Sequence, residues 1–454
     1  MVDGEGWETM SQRRRKILFL THRVPFPPDK GDKIRTFHQL DHLAVHHDVY
    51  CACFLDSPED RLHAIALKRW CREVFTVEWN RRRGAIRAAM RMSGREPLTL
   101  AAYDDSRMRA QLAAWSLEHV FDVVVAFSAC MAPYALAVKA NRRVLDLCDS
   151  DSAKWREYAR ASRIPLSMVY SAEGRRLRDF ELACVNQFDA TVVISNRERA
   201  ELDPDGKFDR LHVIGNGVDL PFAVPARASE QGPVVSFVGD MGYRPNQDAV
   251  IWFVRSVWPL VRRRMIEAQF VIVGRNPPRS VVELGEVPGV TVTGGVADVR
   301  KYLVRSRVVA AQLQIARGLP NKVLGAMAMQ RPVVATSAVC ECLEVERGRH
   351  LMAADDPERF AMHVVRLLRS DELCDRVGQA GYRFVAACHG WADMMRQYER
   401  LLLPEIREAM ARAQKMPESL RPFASILKRA DRSPLTSSVS TISSTRPKPV
   451  SHFR

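Results

Sequence analysis

The chain has 454 residues, 47% of them apolar and 27% charged, and its lysines and arginines outnumber its acids by 68 to 53, a net charge of +15. That balance excludes a disordered, collagen-like or fibrous chain. At this length about two or three domains are expected, with cores large enough to need no disulfide staples. The longest uncharged apolar run, 123–138, is broken by Ser128 and Pro133. It is shorter than the ~20 residues a membrane span requires. The positive charge admits nucleic acid, an anionic membrane surface or an anionic small substrate as partner. Ten cysteines include the pairs Cys51/Cys53 and Cys340/Cys342 in strand-like or turn-like apolar stretches. No C-x2-C spacing offers a zinc site, so reduced thiols in a cytosolic protein are expected. The acidic, polar start, Met1 to Gly6, lacks the basic-then-apolar order of a signal peptide.

Regular structure begins at Lys16. Ile17–Leu20 reads as a buried parallel strand. A loop through Lys30-Gly31-Asp32-Lys33 leads to a helix marked by Ile34, Phe37, Leu40, Leu43 and Ala44, and Val49–Phe54 is the next strand. Strand, loop, helix, strand opens a doubly wound α/β domain. Further strands are expected at Val123–Phe127, Arg143–Leu147, Ala190–Ile194 and Leu211–Ile214, with an amphipathic helix over Tyr170–Gln187. A Pro-rich stretch, Val218 to Pro233, interrupts the rhythm. It restarts with strands at Val234–Val238, Phe270–Val273, Val290–Thr293, Val308–Ala311 and Pro332–Ala335. The organisation expected is a flexible basic N-terminus (1–15), a first Rossmann-like domain (16–217), a linker (218–233), a second such domain (234–390), a C-terminal helix (391–413) and a disordered basic tail (414–454).

Seven strings, in order, carry a family resemblance: Thr21–His38, Leu145–Ala159, His212–Leu220, Gly239–Phe253, Val271–Pro277, Gly289–Leu303 and Ile315–Thr336. Together they resemble group-1 (family 4-like) GT-B glycosyltransferases, in particular the exopolysaccharide sugar transferases associated with PEP-CTERM/exosortase systems. The likeness covers residues 15 to 405, nearly everything outside the tails. It implies two Rossmann-like α/β domains facing a cleft and a retaining, metal-independent hexosyltransferase. The donor would be a nucleotide-sugar and the acceptor a glycan or polyprenyl-linked precursor. No cofactor and no metal are expected.

Candidate donor residues follow from strand ends and helix starts, where ligands of such sheets bind. Gly31 and Asp32 lie in the first loop, where a glycine permits close approach and a helix start favours an anion. Gly239, Arg244 and Asn246 follow the first strand of the second half, and a guanidinium there suits phosphate oxygens. Gly274 and Arg275, then Gly295 and Val296, end the next two strands, and by resemblance they line the nucleoside pocket. Arg317, Asn321 and Lys322 surround a helix start suited to a diphosphate. Arg244 and Lys322 are the expected catalytic cations, stabilising the departing nucleoside diphosphate. The family commonly carries two glutamates as E-x7-E, one on the donor sugar and one on the ribose hydroxyls. The matching positions are Arg317 and Gly325. Gly325 cannot accept that hydrogen bond, a loss of about 1.5–3 kcal/mol, or one to two decades in affinity.

On the acceptor side stand Asp149 and Asp151. They orient an acceptor hydroxyl, or Asp151 or Ser152 merely caps the following helix. The D-x-D spelling also matches a metal motif of a different transferase fold, which the other strings do not fit. His46-His47 reads as a turn pair. No string marks a zinc protease, a serine hydrolase or a P-loop. Arg13–Lys16 and Arg81–Arg83 suggest peripheral attachment to the anionic inner face of the inner membrane, or only solvated basic faces. Nucleic-acid binding is not expected, since no aromatic-interleaved basic motif occurs. Two other readings stay open: an inactive GT-B binding protein of the same pathway, motivated by Gly325, and a sugar-nucleotide epimerase.

Overall fold

In the computed structural model, residues 14–220, 227–313 and 320–404 are described. Arg317, the first 13 residues and the tail from 414 onward lie outside them. Residues 1–402 form one compact unit and 403–454 a second, of which only two residues are described.

Two all-parallel sheets organise the first unit. The N-terminal sheet is ordered β3-β2-β1-β4-β5-β6-β7. Its strands are β1 (Lys16–Thr21), β2 (Asp48–Leu55), β3 (Cys71–Glu78), β4 (Phe121–Phe127), β5 (Ala140–Cys148), β6 (Ala190–Val193) and β7 (Leu211–Val213). The second sheet is ordered β10-β9-β8-β11-β12-β13. It comprises β8 (Val234–Val238), β9 (Gln269–Val273), β10 (Val290–Val292), β11 (Val308–Ala311), β12 (Val333–Ala335) and β13 (Met352–Ala353). Each sheet has its own apolar core, one built around Leu18, Phe54, Val124 and Leu145, the other around Phe237, Phe253, Phe270 and Val334. Central strands are apolar on both faces because helices cover both sides. In both sheets the strand order reverses beside the first strand, at β1/β4 and at β8/β11. Ligands of open α/β sheets bind beyond the carboxyl ends of the strands at such a reversal.

Two strands escape the apolar-run signal. β3 is an edge strand with Arg72, Glu73 and Glu78 exposed, the charged character that protects an edge from further pairing. β13 is only two residues long. Cys51 and Cys53 lie in β2, but Cys340 and Cys342 are buried in the short helix Ser337–Leu343, not in a strand or turn.

Seven helices matter for the site: α1 (Gly31–His46), α2 (Arg81–Met90), α3 (Asp151–Ala161), α4 (Leu166–Gln187), α5 (Arg244–Trp252), α6 (Asn321–Ala328) and α7 (Trp391–Leu402). The chain passes between the halves at 215–220 and returns at 389–391. The two passages touch, with Val218 N donating to the His389 carbonyl (2.8 Å). Gly217 must be glycine there, since a Cβ would stand 2.5 Å from the Trp391 ring. α7 then packs back on α1. His38 stacks on Trp391 with centroids 4.1 Å apart, and Glu399 joins both His42 (2.9 Å) and His47 (3.1 Å). The His46-His47 turn thus anchors the C-terminal helix.

Candidate functional site

The loops after β8, β9 and β10 are stitched into one surface. Gly239 N donates to Val273 O (3.0 Å), Met241 N to Arg275 O (2.8 Å) and Gly274 N to Gly294 O (3.2 Å). Gly274 is required by this approach, because a Cβ would lie 1.7 Å from the Gly239 carbonyl oxygen. Gly295 and Val296 follow β10 and are only partly covered or exposed, and a Cβ on Gly295 would touch that of Arg275 at 3.4 Å.

Lys322, in the first turn of α6, enters this surface from the side. Its Nζ lies 4.5 Å from the centre of the Phe237 ring and donates to Asn246 Oδ1. Asn246 is itself held by donating from Nδ2 to the Asp240 carbonyl (2.8 Å). A Cβ on Gly239 would stand 2.8 Å from Asn246 Nδ2 and 3.1 Å from the ammonium. Glycine at 239 therefore leaves the space in which these two heads meet. Among the described residues no carboxylate pairs with Lys322. Burial pushes its ammonium down to about 7. Its partners among the described residues are a neutral amide and an aromatic face, and burial without a carboxylate favours the neutral amine.

The opposite wall is the start of α1. Gly31 is its first residue, and a Cβ there would lie 3.8 Å from Asn321 Nδ2. Two helix N-termini, α1 and α6, thus meet across the cleft, and each offers unpaired amides and a positive dipole end. Asp32 serves the wall rather than the gap. It accepts from Arg23 (2.7 Å) and sits 3.5 Å from His22, and despite burial these two partners hold its carboxyl well below the usual range.

The site also contains three residues the sequence did not single out, Asp29, Asn216 and Arg35, the first of them met by the expected Arg275. Arg275 donates from Nε to Asp240 (3.0 Å) and reaches across to Asp29 in the β1–α1 loop, to Oδ2 at 3.1 Å and to the carbonyl at 3.2 Å. Asn216, at the passage between the halves, accepts from the buried Arg35 (3.1 Å) and donates to Asn321 Oδ1 (3.4 Å). Arg35 is paired with buried Asp146 of β5 (2.9 Å). A continuous chain thus runs from the N-terminal sheet to the start of α6. Asp29, Asn216 and Arg35 carry no local signal, because their partners are distant in sequence.

Arg244 stands apart. Its side chain is 81% exposed and pairs with Asp248 one turn along α5 (3.0 Å), so the structure does not bring it to Lys322. Gly325 lies in α6, and among the described residues outside its own helix backbone nothing stands within 4 Å of where a Cβ would be. Asp149 and Asp151 flank the start of α3, and both lie 3.3 Å from Lys154 Nζ. Ser150, between them, caps α3 by accepting from Ala153 N. Beneath the loop, Glu181 accepts from Ser150 Oγ, Ser152 N and Ser152 Oγ, and burial pushes its carboxyl up to about 7. Among the described residues no group of three or more histidines, cysteines and acids is placed to hold a metal ion.

Residues 232–370 match the sequence profile of the family described as glycosyl transferases group 1. No curated protein matches the chain in sequence. Solved structures resemble it over most of its length. HepE from Anabaena, solved with UDP and glucose, superposes with a TM-score of 0.60 at 15% identity, covering 86% of this chain and 99% of that one. Sucrose-phosphate synthase from Thermosynechococcus elongatus gives 0.63 at 16%, covering 88% and 100%. A glycosyltransferase from Rickettsia africae gives 0.58 at 13%, covering 86% and 98%. The fold is GT-B. The segment of its second half that matches the group-1 profile contains the Lys322 cluster.

Proposed function

We propose that the chain is a retaining glycosyltransferase that moves a sugar from a nucleotide-sugar to a glycan or polyprenyl-linked acceptor during exopolysaccharide synthesis. The observation that carries this reading is Lys322, a half-buried amine at the start of α6 without an acidic partner among the described residues, on the wall of the cleft opposite the start of α1. That arrangement fits a diphosphate. As the sugar–phosphate bond breaks, charge grows on the departing diphosphate, and Lys322, its proton retained, balances that charge. The amides at Asn321 and Gly31 add fixed dipoles that need no reorganisation. Arg275 would exchange Asp29 for donor oxygens. In a retaining reaction the departing phosphate can itself take the acceptor proton, so no separate base is required. Asp149 and Asp151, steadied from below by Glu181, would orient the acceptor hydroxyl. The nucleotide to try first is UDP, the ligand named in the HepE structures.

The test is calorimetric titration with UDP, GDP and ADP and their sugars, followed by release of nucleoside diphosphate in the presence of candidate acceptors. Binding and acceptor-dependent release support the proposal. Binding without turnover would favour a catalytically inactive binding protein, a reading that Gly325 motivates. Failure of all three diphosphates to bind the folded chain would overturn the donor site.

A further inference from the structure

Aromatic side chains collect on the wall of the cleft that carries Asp149 and Asp151. α3 starts at Asp151, and Trp155 and Tyr158 follow at intervals of four and three residues, which sets all three on one face of the helix. Trp155 and Tyr158 form a corner, their centroids 5.9 Å apart and their planes at 86°. Tyr170 of α4 completes it, 5.1 Å from Trp155 and 6.3 Å from Tyr158. The corner is open, since Tyr158 is 53% exposed. A fourth ring comes from the second half. Tyr243, in the loop between β8 and α5, is 56% exposed. Burial, then Tyr158, Glu157 and Asp149, push its hydroxyl up, and Lys154 opposes them. Its electrostatic neighbours are thus the residues at the start of α3, across the cleft.

The polar heads of these rings are unused. Elsewhere Trp70 and Trp258 donate from their indoles to Asp41 (2.7 Å) and to the Pro288 carbonyl (3.1 Å), and Tyr134 donates from its hydroxyl to the Tyr103 carbonyl (2.6 Å). Among the described residues, Trp155, Tyr158, Tyr170 and Tyr243 make no such bond through indole or hydroxyl. An aromatic ring offers an electron-rich apolar face with, in tyrosine and tryptophan, a polar edge. A pyranose is its complement, with a weakly positive C–H face rimmed by hydroxyls. Carboxylates such as Asp149 and Asp151 accept from those hydroxyls.

We propose that Trp155, Tyr158 and Tyr170, faced by Tyr243, hold a sugar ring of the acceptor while Asp149 and Asp151 take its hydroxyls. From Asp151 to Tyr158 the helix rises about 10 Å, the length of a disaccharide. The rings therefore take the sugar that carries the reacting hydroxyl or the one next to it. The acceptor is then a glycan, free or lipid-linked, that presents at least one pyranose to α3. A bare lipid phosphate does not fit, because an ionised phosphate has neither a C–H face nor a proton to donate to the two aspartates. The role of acceptor rests on the transferase reading; the sugar site can be tested without turnover.

The experiment is saturation-transfer NMR of the full chain with maltose, cellobiose, lactose and chitobiose as probes, beside farnesyl phosphate. Saturating the protein's aromatic protons should mark the ring C–H protons of at least one disaccharide, and titration gives its dissociation constant. Tyr158→Ala should weaken that binding about 2- to 12-fold, and Tyr158→Ala with Tyr243→Ala at least about five-fold. Tyr158→Phe keeps the ring and should stay within about two-fold of wild type. Thermal melts of each variant, with and without UDP, report folding and donor binding separately. No binding of any disaccharide would overturn the sugar site, and a retained UDP response would show the donor reading surviving it. Disaccharide binding unchanged in both alanine variants, or farnesyl phosphate held more tightly than every disaccharide, would also overturn it. Disaccharide binding that fades in the alanine variants of a chain blind to UDP would leave the sugar site standing and remove the donor reading.

Discussion

Replacing Lys322 by methionine keeps the stem packed on Phe237 and deletes only the ammonium. A hydrogen bond to a charged group is worth about 1.5–3 kcal/mol, so UDP affinity should fall about 10- to 150-fold. The pH dependence is more specific. Burial brings the Lys322 ammonium to about 7 in the free protein, and a diphosphate binds the protonated form. The dissociation constant of wild type should rise about five-fold from pH 7 to 8 and about ten-fold from pH 8 to 9, with proton uptake on binding. The variant should show a flat profile. Stability moves the other way. Because the folded-state pKa is lowered, the unfolded chain holds more protons between pH 7 and about 10, and wild-type stability should rise with pH across that window. Lys322→Met should abolish that slope and raise Tm at pH 7, by about 2–4 °C for each kcal/mol recovered. Calorimetric titration in buffers of different ionisation heat, beside thermal melts, reads both effects. A flat wild-type profile with variant affinity within about two-fold of wild type would refute the reasoning. A destabilised variant would make Lys322 a packing residue.

Gly325→Glu enters open space, so the helix should gain about 0.5–1 kcal/mol from propensity and the melt should shift upward. If a ribose hydroxyl lies within reach, UDP affinity rises about ten-fold or more. Gly274→Ala drives a Cβ into the Gly239 carbonyl; overpacking against backbone should cost at least about 3 kcal/mol in denaturant melts and abolish UDP binding. Asp146→Asn leaves Arg35 buried without its carboxylate. It should cost about 3–5 kcal/mol by chemical denaturation, and the loss should reach donor affinity through Asn216 and Asn321. Glu181, pushed up to about 7 by burial, contributes stability that is full below the unfolded carboxylate range and is lost as pH rises through 7. Glu181→Gln should therefore flatten that decline between pH 5 and 8 in urea melts.

The fold was legible because its evidence is local. Strands covered on both faces are short apolar runs, such as Ile17–Leu20 and Val234–Val238, and the glycines that close them mark the loops where a ligand approaches. β3 was not legible, since an exposed edge selects for charge and erases the run. Within the site, Gly239, Gly274, Asn321 and Lys322 could be nominated from strand ends and a helix start. That Lys322 meets Asn246, that Arg244 turns outward to Asp248 and that Arg275 crosses to Asp29 could not. The sequence by itself determined the two α/β halves and which loops end their strands, because periodicity and turn chemistry act over a few residues. Only the tertiary structure decided which charges face the cleft, because a cation's partner is set by how distant elements pack, and packing alone brings Lys322 to Phe237 and Asn246 with no carboxylate beside it among the described residues.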